Sequence, residues 1–200
     1  MTWAPDYATK LELAAYARIA DAADDTQLDL ALSAASRAVD SFTRRQFGQT
    51  AGTEARTYTA VWDAYRCRWV IPVDDFMDAT GLTVTVPTGT VDLFAKQPAN
   101  AVTKGMPWTR LVVDKAAAYS PTGAEDEVTV TAKWGWIQPW PATIKQATLL
   151  QASRVFARRE SPYGVAGSPQ MGSELRLLEK MDADVAVMLT PYVRKRLKVG

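Results

Sequence analysis

The chain of 200 residues contains no histidine and only one cysteine, Cys67. Without histidine, Ser-His-Asp triads, histidine general bases and most catalytic zinc sites are excluded. A single cysteine rules out an intrachain disulfide and is typical of a protein made in a reducing compartment. We therefore expect synthesis in a cytoplasm and no histidine-based chemistry.

Long apolar runs and an excess of one charge are also missing. No stretch approaches the ~20 apolar residues of a membrane span, and no basic segment followed by an apolar one opens the chain, so we expect neither a membrane location nor a signal peptide. Lys and Arg total 23 against 22 Asp and Glu, a net charge of +1. This balance is far from that of a free-standing duplex-DNA-binding protein.

The charges that are present are unevenly distributed along the chain. Acidic residues gather near its start, whereas residues 192–200 contain four basic residues and no acid. Such an asymmetry often marks an interaction arm, although a solvated basic tail without a specific role is an equally good interpretation. The acidic group is Asp21, Asp24, Asp25 and Asp29, and the basic group is Arg194, Lys195, Arg196 and Lys198.

The first fifth of the chain predicts two helices. Thr9 and Glu12 have the spacing of a capping box, which predicts the start of a short, alanine-rich helix. Asp24 and Gln27 repeat that spacing before a second helix of about 20 residues. Apolar residues at intervals of four and three form one seam along this second helix: Leu28, Leu32, Ala35, Val39 and Phe42.

From residue 51 to residue 138 the pattern changes to a period of two. β-Branched and aromatic runs bounded by proline and glycine predict strands over 57–62, 67–71, 82–86, 91–94, 110–113 and 128–134. We interpret Asp74, Asp75 and Asp78 as turn-forming acids, because they lack the spacing of a calcium loop. The segment predicts a compact antiparallel β subdomain.

Helical patterns return after residue 139. One helix is expected to reach Arg158 and Arg159, a loop covers 161–169, and a last helix spans 173–189, with Asp182 able to start a fresh helix and Pro191 ending it. The predicted fold class is α+β, in which N- and C-terminal helices pack as a small bundle with an inserted antiparallel β subdomain. The expected parts are 1–50 (helical), 51–138 (β), 139–190 (helical) and 191–200 (basic arm).

Motifs of an enzyme are missing where they should be visible. No glycine-rich phosphate loop follows a strand, and Cys67 has no histidine to activate it. We expect no enzymatic activity and no cofactor, with hydrolysis by two carboxylates left formally open. The tryptophans concentrate in and just after the β segment, where they could form core, a carbohydrate platform or a protein interface.

Several segments together resemble the head-to-tail connector (adaptor) proteins of long-tailed bacteriophages. Residues 11–19 and 28–47 look like the N-terminal helix pair of that family, and residues 134–154 look like its next helix. The most distinctive stretch is 158–167, Arg-Arg-Glu-Ser-Pro-Tyr-Gly-Val-Ala-Gly, and residues 189–194 resemble the end of family members. The resemblance covers both helical ends, whereas the β segment matches only in character.

The resemblance implies a non-enzymatic virion protein of the phage neck, synthesised in the host cytoplasm. Its subunits would form a homo-oligomeric ring, expected to be a dodecamer, beneath the portal protein. The ring would extend the channel for double-stranded DNA without reading its sequence, and would attach the tail directly or through a stopper or tail-completion protein. The free subunit is expected to be a monomer.

Three sets of residues are candidates for these contacts. The hypothetical portal-binding arm contains Tyr192, Arg194, Lys195, Arg196 and Lys198. A flexible contact loop is expected at Ser161, Pro162, Tyr163, Gly164, Val165 and Gly167. Candidate ring-interface charges are Asp24, Asp25, Asp29, Arg158 and Arg159. The alternative function is a carbohydrate- or receptor-binding module, which would require exposed tryptophans at Trp62, Trp69 or Trp134 on one platform.

Overall fold

The structure, a computed structural model, describes residues 3–19, 25–158, 165–166, 175–176 and 181–195. Its helices are α1 (Lys10–Ala17), α2 (Asp25–Thr43), α3 (Ala142–Ala157) and α4 (Ala183–Leu189). Its strands are β1 (Glu54–Tyr58), β2 (Val61–Asp63), β3 (Arg68–Val86), β4 (Gly89–Thr90), β5 (Phe94–Gln97), β6 (Trp108–Val113), β7 (Val128–Trp134), β8 (Val165–Ala166) and β9 (Leu175–Arg176).

The chain divides into two compact units. The first, which we call the β unit, consists of Met1–Ala4, Gln46–Pro139 and Lys195–Gly200. The second, which we call the helical unit, consists of Pro5–Arg45 and Trp140–Arg194.

One antiparallel sheet of seven strands builds the β unit. Five strands follow the order β1-β7-β3-β6-β5, and β2 and β4 both pair with β3. Alternate residues of β7 are buried, as expected for a strand with one face on a core. That core includes Ile71, Val84, Leu111, Val130 and Trp134, all completely buried.

The expected fold class is wrong. A small helical bundle carrying an inserted β subdomain was expected, but strands dominate the core of this mixed α/β protein, and its four described helices lie towards the ends of the chain. The sheet is more extensive than expected because β3 is one strand of 19 residues, with register shifts near Asp78, where two strands and a turn were predicted. The last helix is shorter, since Leu175–Arg176 pairs with β8 and α4 begins only at Ala183.

The interpretation of Asp74, Asp75 and Asp78 as turn residues is also wrong, because each lies within β3 and has a polar partner. Asp74 accepts hydrogen bonds from Arg56 (2.8 Å) and from the hydroxyl of Tyr58 (3.1 Å). The buried Asp75 accepts one from the indole of Trp136 at 3.0 Å. Asp78 accepts the backbone N–H of Thr80 and lies 3.8 Å from Lys133. These partners allow a strand to carry three acids.

The two N-terminal helices confirm the patterns that predicted them. Thr9 and Glu12 form the complete capping box of α1. Helix α2 has 19 residues and buries Leu28, Leu32, Ala35 and Val39, with Phe42 half-buried. Leu28, Leu32 and Ala35 pack with Leu13 of α1 and with Leu149 and Ala152 of α3. This packing fixes α2 against its neighbours in the helical unit.

Candidate functional site

The last described part of the chain is attached to the helical unit at several points. Asp182 caps α4 by accepting the backbone N–H of Asp184 at 2.8 Å, which confirms the predicted fresh start. Asp182 also forms an ion pair with Arg154 of α3. Val185 and Leu189 of α4 are completely buried. A 3₁₀ turn, Thr190–Tyr192, then follows directly.

The residues after α4 are held by the C-terminal end of α2. Arg44 ends that helix in the left-handed conformation, with φ of 53°. Beyond it, Arg45 donates a hydrogen bond from Nε to the carbonyl of Tyr192 at 2.6 Å. The backbone N–H of Arg194 donates to the carbonyl of Thr43 at 2.8 Å, which satisfies one of the open carbonyls of the helix end. The chain is therefore fixed in position up to Arg194.

The predicted arm thus begins in an anchored segment. Tyr192 and Arg194 are half-buried and held by α2, whereas Lys195 is exposed. Arg196 and Lys198 lie outside the described residues. Sequence reasoning missed Arg45 as the anchor, although the stretch 40–47 that resembles the connector family contains it.

The structure describes little of the predicted contact loop. Val165 belongs to β8 and its backbone pairs with Arg176 in β9. The other members, Ser161, Pro162, Tyr163, Gly164 and Gly167, lie outside the described residues.

Two of the candidate ring-interface acids have a partner in their own chain. Lys10 Nζ lies 2.6 Å from Asp25 and 3.8 Å from Asp29, and both acids remain substantially exposed. The hydrogen bond that Lys10 donates to Asp25 raises the pKa of Lys10. Arg158 is half-buried at the end of α3 and donates its backbone N–H to the carbonyl of Arg154. Asp24 and Arg159 lie outside the described residues.

A half-buried acid, Asp40, lies in the last turns of α2, close to the anchor. The side chain of Asp40 accepts a hydrogen bond from the hydroxyl of Tyr7 and lies 3.1 Å from Nε of Arg37. Burial raises the pKa of Asp40 to about 6, against the opposing effects of Tyr7 and Arg37. No sequence motif marks this cluster, because Tyr7 and Asp40 are far apart in the chain.

The tryptophans separate into core and surface groups. Trp134 and Trp136 are buried, which excludes Trp134 from an exposed platform. Trp62 and Trp69 face each other as a cross-strand pair on β2 and β3. Their ring centroids are 5.1 Å apart at an angle of 64°. They line a cleft of about 410 Å³ in the β unit.

The described residues contain no group of three or more Cys, Asp or Glu side chains arranged to hold a metal ion. In the same part of the chain, no helix combines the length and the apolar character that crossing a membrane requires. No model of a known protein family matches the chain, and no curated protein matches it either.

Proposed function

We propose that this protein is a structural head-to-tail connector of a tailed bacteriophage. In this proposal it forms a homo-oligomeric ring beneath the portal protein, extends the DNA channel, and offers a surface to the tail or to a stopper protein. The basic C-terminal segment contacts the portal. DNA passes through the lumen without being gripped, in agreement with a net charge of +1.

The observation that carries the proposal is the anchoring of the chain just before its basic residues. Arg45 and Thr43 hold Tyr192 and Arg194, so the basic run begins at an anchored point of the chain. Anchoring a segment reduces the number of conformations that it loses when it binds a partner. The entropic cost of binding is therefore lower than it would be if the chain were unattached from the end of α4 onward. The portal is the partner that the sequence resemblance implies.

The helical unit also has apolar groups that contacts between subunits would cover. Leu11 of α1, Leu30 of α2 and Val187 of α4 are large apolar side chains that are more than half exposed. A ring closes through two different surfaces of each subunit. We expect some of these side chains to be buried when the ring forms on the portal.

The test measures mass by mass photometry or light scattering, for the protein alone and mixed with the portal of its own phage. We expect a monomer alone and a multi-subunit complex with the portal. The variant that carries Lys195→Ala, Arg196→Ala and Lys198→Ala should lose the complex at physiological salt. Arg194 is left intact because its side chain is half-buried at the anchor, so that removing it would also disturb the anchored segment.

A matched variant controls for the change in net charge. Arg66→Ala, Lys104→Ala and Lys115→Ala remove three positive charges from exposed positions of the β unit. This variant should bind the portal as the parent does. A parent protein that remains monomeric with the portal would overturn the connector proposal. A complex that survives loss of the three basic residues of the C-terminal segment, at unchanged melting temperature, would refute only the role of that segment.

A further inference from the structure

We propose that the cleft beside Trp62 and Trp69 binds an acidic saccharide, meaning a sugar ring that carries a carboxylate or a phosphate. The cleft has a volume of about 410 Å³, within the usual range of small-molecule sites. Its polar lining includes Arg68, Asp114, Lys115 and Ser120. This inference does not depend on the connector proposal, because it concerns a different part of the chain.

The two tryptophans form a corner. Trp62 is 44% exposed, so part of its ring surface is open to solvent, while Trp69 is half-buried against the sheet core. An open indole surface can stack on the apolar C–H face of a pyranose. The angle of 64° between the rings provides no parallel slot for a flat nucleobase, which favours a sugar over a nucleotide.

The position of the inner ring is fixed before any ligand arrives. Trp69 lies in β3, which pairs with β2 at Trp62 and with β6 at neighbouring residues. Gly123 lies against Trp69 so closely that a Cβ at that position would be 3.0 Å from the ring. A side chain at position 123 would therefore disturb the ring. A preformed wall of this kind reduces the cost of ordering on binding.

The charged lining selects the class of saccharide. In the lining, Arg68 and Lys115 contribute two positive charges against the carboxylate of Asp114. The neighbouring Asp63 is shared between Arg68 and Arg66, so the group as a whole stays positive and favours an anion. The guanidinium of Arg68 is 3.8 Å from Asp63, whereas Lys115 is exposed at the edge of the cleft. Asp114 and Ser120 add oxygen atoms that can exchange hydrogen bonds with sugar hydroxyls.

The experiment titrates the full-length protein with three probes and follows tryptophan fluorescence. The probes are a hyaluronan tetrasaccharide, which carries carboxylates, glucose 6-phosphate, which carries a phosphate, and fully N-acetylated chitotetraose, which is neutral and is called chitotetraose below. At least one acidic probe should bind, with chitotetraose at least tenfold weaker. The stronger acidic probe identifies the anionic group. The same probe should slow alkylation of Cys67, the only thiol in the chain and part of the cleft lining.

Matched variants assign binding to the cleft. Trp62→Ala should weaken binding about tenfold or more, and Lys115→Ala should weaken it at least threefold and make it less sensitive to salt. The controls are Tyr65→Ala, an exposed aromatic on the turn between β2 and β3, and Lys104→Ala, an exposed lysine elsewhere in the β unit. Both controls should bind as the parent does. Trp62→Phe retains an aromatic ring and should recover part of the affinity.

Three results would overturn the proposal. The first is no binding of either acidic probe at about 10 mM, and the second is equal binding of chitotetraose, which would remove the role of charge. The third is unchanged affinity in Lys115→Ala, whose exposed side chain can be removed without disturbing the core.

Discussion

Replacing Gly135 with alanine should destabilise the β unit more than any other glycine replacement that we consider. Gly135 follows β7 and has a φ of 105°, which L side chains rarely adopt. A Cβ built on it would lie 1.8 Å from the carbonyl oxygen of Gly48 and 2.8 Å from Cα of Gln49. Both contacts are with backbone, so no side-chain rotation can relieve them.

The loss of stability in Gly135→Ala can be estimated from the backbone groups that the new Cβ would displace. A left-handed backbone costs a non-glycine residue roughly 1–2 kcal/mol. Separating the two segments also strains the hydrogen bonds from Trp136 N–H to Gly48 (3.0 Å) and from Gly135 N–H to Asp75 (2.7 Å), each worth about 1 kcal/mol. With about 1–3 kcal/mol for overpacking, Gly135→Ala should cost about 4 kcal/mol or more.

Two other glycines in the same unit separate these contributions. Gly105 has a φ of 66°, but no atom lies within 4 Å of the place that a Cβ would take, so Gly105→Ala should cost about 1 kcal/mol from conformation alone. Gly52 has neither a positive φ nor an atom within 4 Å of the place that a Cβ would take, so Gly52→Ala should change stability by less than about 0.5 kcal/mol.

The assay is urea unfolding followed by tryptophan fluorescence. Six of the seven tryptophans belong to the β unit, so the signal mainly reports that unit. The expected order of unfolding midpoints is Gly52→Ala, then Gly105→Ala, then Gly135→Ala, from highest to lowest. If Gly135→Ala unfolds together with Gly105→Ala, the close approach of Gly48 to Gly135 contributes nothing and the reasoning is refuted.

Three further predictions concern charged groups. Asp40 has a pKa of about 6 in the folded protein, against 3.8 ordinarily, so its contribution to the free energy of unfolding falls by up to about 3 kcal/mol as the pH rises from about 4 to 6. Asp40→Asn should remove this dependence of stability on pH, which urea titrations at several pH values measure. An unchanged dependence in the variant would contradict the prediction. Arg45→Ala should lower stability by about 1.5–3 kcal/mol through loss of the charged hydrogen bond to Tyr192 and should weaken portal binding, which the same mass measurement can detect. Arg56→Lys should lower the free energy of unfolding by about 1 kcal/mol, because a guanidinium 4.5 Å and 4.9 Å from two indole centroids is replaced by a point charge; equal unfolding midpoints would exclude a role for stacking.

The elements that the sequence predicts well are those that local contacts determine. The capping box of α1 joins residues three apart, and the seam of α2 repeats every three or four residues. Both patterns are complete within a short window of sequence. The fresh start of α4 at Asp182 is local for the same reason, since its side chain accepts the N–H two residues further on.

The long strand β3 could not be predicted in the same way. Its acids favour turns by local propensity, and the groups that make them acceptable in a strand are distant in the chain. Asp74 depends on Arg56 and Tyr58, and Asp75 depends on Trp136, 61 residues away. Without knowledge of these partners, the segment 72–81 is interpreted as a break between two strands, and the extent of the sheet is underestimated.

In the candidate sites, too, the sequence predicts the local features but not the contacts between distant residues. The basic run after Arg194 is visible in the sequence, but the contact that anchors it joins Arg45 to Tyr192 across 147 residues. Likewise, the sequence places Trp62 and Trp69 on neighbouring runs, yet only the register of β2 and β3 brings them face to face. Burial then removes Trp134 from the platform that the sequence allowed.

The anchored C-terminal residues and the tryptophan cleft belong to different units, and this makes the two proposals separable. Arg45 and Tyr192 belong to the helical unit and Trp62 belongs to the β unit. Lys195 is counted with the β unit, but neither it nor any other described residue after α4 lines the cleft. Energetic effects of sites that share no partners add with little coupling. A Trp62→Ala protein should therefore assemble on the portal as the parent does while losing the saccharide. Loss of both properties in this one variant would mean that the cleft itself is part of the portal contact.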